Sequence, residues 1–238
     1  MKFPLVVLAC PTSDHKKYCQ DEWINWIKGF TYPNLKILIV ENSATPDNAN
    51  LLKNIDGIDC VYVGDKVNDF NIRKKIAYST QVIKDMVLNK YKAHAWLSLE
   101  SDIFIPQNSI EYLMFLNKRV VCIPYFHFDD VHLLHMELHI IGGVTFVDYV
   151  PLMKSFALCE GNLKKVYQNG IGCMLIKSKI LKNLPIHYED TGFKAFPDYF
   201  IHLYFFRKKI PVLLDTSIYA IHKNNSVNWR QIESDFDV

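Results

Sequence analysis

The sequence AHAWLSLESD, residues 93–102, joins the pattern of a buried strand to two acids. Residues 93–99 form a mostly apolar run of the length expected for a strand that is buried on both faces. The run leads directly into Glu100 and Asp102. Because alternate residues of an extended chain point the same way, these two carboxylates can face one ligand. They predict a site for a hard divalent cation. The alternative is a solvated turn whose acids cap the next helix.

The residues before this segment alternate strand-like runs with helical patterns. Strands are expected at 3–10, 35–40, 60–63 and 93–99, and helices at 20–28, 48–54 and 73–88. We expect Gly29 to close the first helix. This β-α-β order predicts a parallel, doubly wound sheet. Ligands of such sheets bind outside the carboxyl ends of the strands, so Pro11, Glu41 and residues 100–102 are expected near one crevice.

The second half of the chain is less regular. Strands are expected at 120–125, 140–147, 172–176, 211–214 and 217–221, with a helix at 196–207. We find no internal repeat, low-complexity block or flexible linker. The sequence therefore predicts a single α/β domain over residues 1–238, whose second half completes the sheet.

Composition excludes several functional classes. Half of the 238 residues are hydrophobic and 22% are charged, which indicates a globular chain. A net charge of +2 without clustered Lys or Arg does not indicate nucleic-acid binding. No apolar run approaches the roughly 20 residues that a membrane span needs. The six cysteines include no C-x-x-C pair, and four of them lie in apolar runs, which predicts a reducing, cytosolic compartment.

Several blocks, taken in order, resemble the GT-A glycosyltransferases and, within them, the inverting GT2-like group. Glu100-Ser101-Asp102 looks like the D-x-D metal motif, although its first acid is Glu. The other blocks that carry the resemblance lie at 3–12, 37–43, 170–176, 196–200 and 214–217, with His222. Together they cover most of the chain, and the resemblance implies a Rossmann-like mixed sheet flanked by helices.

The resemblance also implies an activity, which is transfer of a sugar from a nucleotide-diphosphate donor, by family frequency a UDP-sugar, to an acceptor hydroxyl. Asp102 and His222 would hold Mn²⁺, with Mg²⁺ as a substitute, because His is a poor Mg²⁺ ligand. Asp198 would be the base of an inverting displacement. Residues 1–102 would bind the donor and residues 103–238 the acceptor. The implied donor contacts are Pro11, Thr12, Glu41, Asn71, Arg73, Glu100 and Ser101, and the implied acceptor contacts are Gly172 and Cys173.

Four residues of these blocks and contacts also have a plainer interpretation. Asp198 follows Pro197 and suits a helix N-cap. His222 suits a strand end, Asp215 a chain reversal, and Arg73 a solvated helix face.

A histidine cluster offers a competing metal site. If residues 132–139 were helical, His132, His135 and His139 would share one face. An alternating pattern at 136–141 favours a strand instead, which would scatter them. A loop beside the acceptor site, including His127, is the preferred interpretation.

Two further function classes stay open at this point. A nucleotidyltransferase of nucleotide-sugar synthesis would normally carry a glycine-rich phosphate loop after the first strand, and residues 11–15 contain no glycine. A non-catalytic module, binding nucleotide sugars or stabilised by zinc, is the other class. The acceptor class also stays open among polysaccharide, glycolipid, protein and modified DNA.

Overall fold

The computed structural model describes residues 3–127, 132–133, 135–141, 144–149, 163–192, 194–218 and 220–223. Its strands are β1 (Val6–Thr12), β2 (Leu35–Glu41), β3 (Ile58–Tyr62), β4 (Ala95–Leu99), β5 (Ile103–Phe104), β6 (Val120–Cys122), β7 (Phe126–His127), β8 (His132–Leu133), β9 (His135–Ile141), β10 (Val144–Tyr149), β11 (Leu163–Val166), β12 (Gln168–Asn169), β13 (Cys173–Lys177), β14 (Val212–Asp215) and β15 (Ile221–His222). Its α-helices are α1 (Lys17–Lys28), α2 (Asp47–Lys53), α3 (Gly64–Val67), α4 (Ile72–Asp85), α5 (Ser109–Phe115), α6 (Ser178–Leu181) and α7 (Pro197–Arg207). A 3₁₀ turn at Asp14–Lys16 precedes α1, and a π turn at Met86–Lys90 follows α4.

A central sheet of eight strands organises the described residues, in the order β11-β14-β6-β13-β4-β1-β2-β3. β1, β2, β3 and β4 are mutually parallel, as the first half of the sequence predicts. β13 inserts antiparallel between β4 and β6, β14 is parallel to β6, and β11 closes the edge antiparallel to β14. The result is a single-domain α/β fold with a mixed sheet.

The sheet is buried because its central strands are apolar on both faces. Along β1, Val6, Leu8 and Cys10 pack into one apolar cluster, whereas Val7 and Ala9 pack into the other. Helices α1, α2 and α5 contribute to the first cluster, and α3, α4, α6 and α7 to the second. This three-layer packing explains why the continuous apolar runs of the sequence become interior strands.

One edge of this sheet gathers the polar strand ends. Six of the eight strands run in the same direction, so β1, β2, β3, β4, β6 and β14 all end at this edge. β13 starts from the same edge, and the Glu100 N–H donates to the Gly172 carbonyl (2.8 Å). The edge is where the carboxyl-end rule places a ligand.

Two of the predicted strands are wrong in detail. Residues 140–147 form no single strand, because β9 and β10 pair antiparallel on either side of residues 142–143. In the sequence, Gly142-Gly143 is a dipeptide that favours a hairpin between two strands, a signal that the prediction from the apolar run did not use. Residues 217–221 contribute only a bridge at Ala220 and the start of β15. Asp215 explains this, since its carboxylate accepts hydrogen bonds from the Ser217 N–H (2.9 Å) and hydroxyl (2.6 Å) and turns the chain there, as its plainer interpretation requires.

Gly29 does follow α1, but not in the left-handed conformation that a glycine stop usually supplies. Its φ is −83°, which any residue adopts. A Cβ at this position would lie 2.0 Å from the Gln107 side-chain nitrogen, but that is the end of an exposed, flexible side chain that can move aside, so neither backbone nor packing strictly requires glycine here.

The helical interpretation of the histidine cluster is wrong. His127, His132, His135 and His139 lie on strands β7, β8 and β9, and His127 and His132 are register partners. A face shared at helical spacing therefore does not form. The neighbouring Asp129 and Asp130 lie outside the described residues.

The cysteines behave as small apolar residues. Cys10, Cys122 and Cys173 are fully buried in strands, Cys60 is half-buried, and every cysteine of the described chain is a free thiol. Cys159 lies outside the described residues. Among the helices of the described chain, none is both long and apolar enough to cross a membrane.

One buried histidine couples the fold to pH. His202 of α7 is fully buried, and its Nε2 accepts the Asn169 N–H (3.4 Å). Burial lowers the pKa of His202 from 6.5 to about 4. The unfolded chain therefore binds this proton before the folded chain does as pH falls, and folding loses stability below pH 6.5.

His202→Gln keeps a neutral acceptor but removes the titration. Between pH 7 and 4.5 the wild type should lose about 2–3 kcal/mol more of unfolding free energy than the variant does. Urea unfolding at the two pH values measures this. Equal losses of unfolding free energy in both proteins would show that His202 does not cause the loss of stability at acid pH.

Candidate active site

The acidic segment leaves β4 through a tight turn at the polar edge of the sheet. The Ile103 N–H donates to the Glu100 carbonyl (3.0 Å), and the Lys223 N–H donates to the Asp102 carbonyl (2.8 Å). These bonds fix the backbone on both sides of Asp102. The solvated-turn alternative is wrong, because Asp102 is fully buried.

A late segment of the chain brings His222 to this turn. β15 pairs antiparallel with β5, and His222 is the register partner of Ile103. Its Nε2 lies 3.2 Å from the Asp102 Oδ2, and its ring packs edge-on against Tyr125 with centroids 5.7 Å apart. One ligand atom from each of Glu100, Asp102 and His222 lies within 4.8 Å of the other two.

The two oxygens of Asp102 have different surroundings. Oδ2 contacts the Lys16 ammonium, the Tyr18 hydroxyl (3.0 Å) and the His222 Nε2. Oδ1 is buried and has no hydrogen-bond partner among the described residues. Burial would raise the pKa of Asp102, but the His222 hydrogen bond and the Lys16 charge outweigh it and lower the pKa to about 2. Asp102 is therefore a carboxylate at neutral pH.

The pKa of Glu100 shifts in the opposite direction to that of Asp102. Burial raises its pKa, and the Asp102 charge adds to that effect, whereas the nearby Lys16 charge opposes it. A second cation close to Glu100 and Asp102 would stabilise both as carboxylates.

These residues fit a divalent cation. Two carboxylates and an imidazole are an acceptable donor set for Mn²⁺. The open Oδ1 of Asp102 is a buried acceptor of the kind that a cation would satisfy.

A cavity of about 290 Å³ opens beside this cluster. That volume lies near the lower end of the range for small-molecule sites. Its lining includes these sequence-predicted residues: Pro11, Thr12, Glu100, Ser101, Asp198 and His222. The Thr12 and Ser101 hydroxyls lie 3.0 Å apart and join the ends of β1 and β4.

Asp198 reaches the cavity from the first turn of α7. Pro197 is the first residue of the helix and Phe196 is its N-cap, so the N-cap interpretation of Asp198 is wrong by two positions. The Asp198 Oδ1 accepts the Tyr199 N–H (2.8 Å), and burial raises the pKa of the carboxyl. Segments about a hundred residues apart thus bring acids to one cavity.

The remaining predicted donor residues lie outside the cavity lining. Asn71 caps α4, and its side-chain oxygen accepts the Lys74 N–H (3.0 Å). Arg73 is buried with its guanidinium 5.2 Å from the Phe196 ring centroid, so the solvated interpretation is wrong. Glu41 is buried at the end of β2, where its carboxylate accepts from the Ser43 N–H and hydroxyl. Their contacts with a donor remain predictions.

Gly172 and Cys173 have structural roles. The Gly172 N–H donates to the Tyr125 hydroxyl (3.2 Å), and a Cβ there would lie 2.7 Å from that oxygen. At Gly170 the same hydroxyl would be 1.9 Å from a Cβ. Cys173 lies in the apolar core. Contacts of Gly172 and Cys173 with an acceptor remain predictions.

Sequence reasoning missed Lys16 and Tyr18, which both contact Asp102. One signal was available, because a lysine pair follows the first strand by only a few residues. A basic residue there is close to the crevice in a doubly wound sheet.

The chain matches no protein-family model and no curated protein by sequence. Among solved structures it is similar to GalNAc-T7 with UDP, GalNAc and Mn²⁺, with a TM-score of 0.59 and 10% identity over 93% of this chain and 44% of that one. It therefore spans less than half of the GalNAc-T7 chain. It also aligns with A197 from STIV, with a TM-score of 0.46 and 16% identity over 93% of this chain and 86% of that one. The similarity to GalNAc-T7, a glycosyltransferase, shows that this chain has a GT-A-like fold, as predicted.

The glycines against Tyr125 yield a packing prediction. Gly170→Ala should lower the free energy of unfolding by about 2–3 kcal/mol, because the new methyl overlaps the Tyr125 hydroxyl. In a Tyr125→Phe background the same change should cost clearly less. Chemical denaturation of the four proteins measures the coupling, and strictly additive losses would contradict the contact.

Proposed function

We propose that this chain is a metal-dependent glycosyltransferase that moves a sugar from a UDP-sugar to an acceptor hydroxyl with inversion. The observation that carries the proposal is that Glu100, His222 and Asp198 line one cavity at the carboxyl edge of the sheet. Asp102 is buried behind this lining, with a ligand atom within 4.8 Å of those of Glu100 and His222. The GT-A-like fold supports it, and the similar structure of GalNAc-T7 holds UDP and Mn²⁺.

In this proposal Asp102 and His222 hold the cation, with Glu100 beside them or acting through a water or the ribose. A bound Mn²⁺ or Mg²⁺ supplies positive charge that stabilises the departing nucleoside diphosphate. Asp102 suits the role because its low pKa keeps it ionised. The turn hydrogen bonds around residues 100–103 hold the carboxylates in place before a ligand arrives.

Asp198 is the proposed base. It takes the proton of the acceptor hydroxyl while that oxygen bonds to the anomeric carbon. The bond from that carbon to the diphosphate oxygen breaks with its electron pair leaving on the nucleoside diphosphate. Burial raises the pKa of Asp198, which makes its carboxylate a stronger base than a solvated aspartate.

The two halves of the chain are proposed to bind the two substrates. Residues 1–102 bind the donor through Pro11, Thr12 and Ser101 at the cavity wall, and residues 103–238 bind the acceptor. Ile72, Ile76 and Phe196 add an apolar wall that suits the face of a base or sugar ring. We also propose that the chain belongs to the inverting GT2-like group.

One observation favours the nucleotidyltransferase as a second candidate, since Lys16 stands shortly after β1 and lines the cavity. That enzyme would release pyrophosphate from a nucleoside triphosphate and a sugar 1-phosphate. Pyrophosphate release with this substrate pair, without sugar transfer from UDP-sugars, would replace the first candidate by the second.

Asp102→Asn should abolish Mn²⁺-dependent binding of UDP. The amide cannot supply the negative charge that a divalent cation needs at this buried position. Calorimetry with UDP, with and without Mn²⁺, measures the effect. Asp56→Asn is the matched control, because Asp56 is exposed and lies outside the cavity lining. Metal-dependent binding that persists in Asp102→Asn would remove Asp102 from the metal site.

Asp198→Asn should leave UDP and Mn²⁺ affinity within about twofold while slowing transfer by about 10²–10⁴, the usual contribution of a general base. A panel of UDP-sugars with product detection by mass spectrometry gives the rate. Transfer at a normal rate would place the base elsewhere. A product that retains the anomeric configuration of the donor, read by NMR, would exclude the single displacement.

A further inference from the structure

Lys16 occupies the position next to the proposed metal ligands. It ends the 3₁₀ turn that leads from β1 into α1, and its side chain is 13% exposed. Its ammonium contacts the Asp102 Oδ2, and Lys16 also lines the cavity. Lys16 is therefore next to both the acidic cluster and the space proposed for the donor.

The electrostatics of the cluster require a cation at this point. The carboxylates of Glu100 and Asp102 are separated in sequence by one residue, and Asp102 is fully buried. Two such negative charges repel each other, and burying them without nearby positive charge costs free energy. In the described structure the Lys16 ammonium supplies positive charge through its contact with the Asp102 Oδ2, the oxygen that the His222 Nε2 also approaches.

A divalent ion bound by Glu100, Asp102 and His222 would bring a second positive charge close to this ammonium. Like charges at such separations repel strongly where the effective dielectric constant is low. The flexible lysine stem allows the ammonium to move, and the adjoining cavity gives it somewhere to go.

We propose that Lys16 is a displaceable cation that holds the carboxylates together in the metal-free protein and turns to the diphosphate of the donor when the metal binds. The inference rests on the proposed function. If so, Lys16 weakens Mn²⁺ binding when no nucleotide is present. Once Mn²⁺ is bound, Lys16 strengthens binding of the nucleotide diphosphate.

Lys17 provides a matched control. It is the next residue and carries the same charge, but its ammonium pairs with the Asp14 carboxylate at the surface (2.6 Å) and its side chain is 48% exposed. Removing its charge changes the net charge of the protein equally without touching Asp102.

The first experiment titrates Mn²⁺ into nucleotide-free protein and follows the free ion by electron paramagnetic resonance. Lys16→Met should bind Mn²⁺ at least about tenfold more tightly than wild type, because a repelling charge is gone. Lys17→Met should stay within about twofold. With Mn²⁺ saturating, Lys16→Met should bind UDP about tenfold more weakly, and Lys16→Arg should restore most of this loss.

The outcomes separate the two proposals. If neither the wild type nor Lys16→Met binds Mn²⁺, with or without UDP, the metal site of the proposed function is overturned. If wild type binds Mn²⁺ but Lys16→Met binds it equally or more weakly, only the role of Lys16 is overturned.

A second readout uses wild-type protein and does not depend on the folding of a variant. Acetylation of the Lys16 amine by a small reagent, quantified by peptide mass spectrometry, should speed up when Mn²⁺ is added and slow down when UDP follows. The Lys17 amine should show neither change. An acetylation rate of the Lys16 amine that does not change when Mn²⁺ is added would show that the metal does not displace Lys16 from Asp102.

Discussion

The charge of Asp102 at the end of β4 is the constraint around which the site is built. A carboxylate buried this deeply is tolerated only where cations and hydrogen-bond donors surround it. Lys16 and Tyr18 reach it from the start of α1, and His222 reaches it from β15. Because these contacts span 86 and 120 positions of sequence, the acid joins distant parts of the chain as well as forming a candidate ligand set.

The sheet makes this convergence possible by delivering several strand ends to one edge. β13 matters most, because it runs against its neighbours and starts where they finish. Its approach through Gly170 and Gly172 leaves room for the Tyr125 hydroxyl, and the Tyr125 ring in turn packs against His222. Asp198, entering from the first turn of α7, adds a second carboxyl to the cavity lining beside that of Glu100. His222 is thus positioned both by packing against Tyr125 and by its contact with the Asp102 carboxylate.

The sequence predicts the parallel half of the fold well, since continuous apolar runs bounded by helical patterns leave few alternatives. It predicts the second half less well. The hairpin of β9 and β10 is missed because the apolar run masks the turn signal of Gly142-Gly143. Asp102, His222 and Asp198 could be named as candidates because they stand at element ends in a familiar order. Lys16 was missed because its contact with Asp102 is tertiary, and the lysine pair after the first strand indicates only a basic residue near the crevice. The acceptor contact of Gly172 stays a prediction, and its close approach to Tyr125 cannot be read from the sequence.

The central claim is that one cation joins Asp102 and His222 to a nucleotide diphosphate within this cavity. Crystals grown with UDP and Mn²⁺ test it most directly, by anomalous diffraction at the manganese edge. The account predicts a single strong manganese peak contacting the Asp102 carboxylate and the His222 imidazole, with the UDP phosphates beside it and Asp198 facing the same space. A manganese peak elsewhere, or UDP bound here without metal while Lys16 still pairs with Asp102, would contradict it.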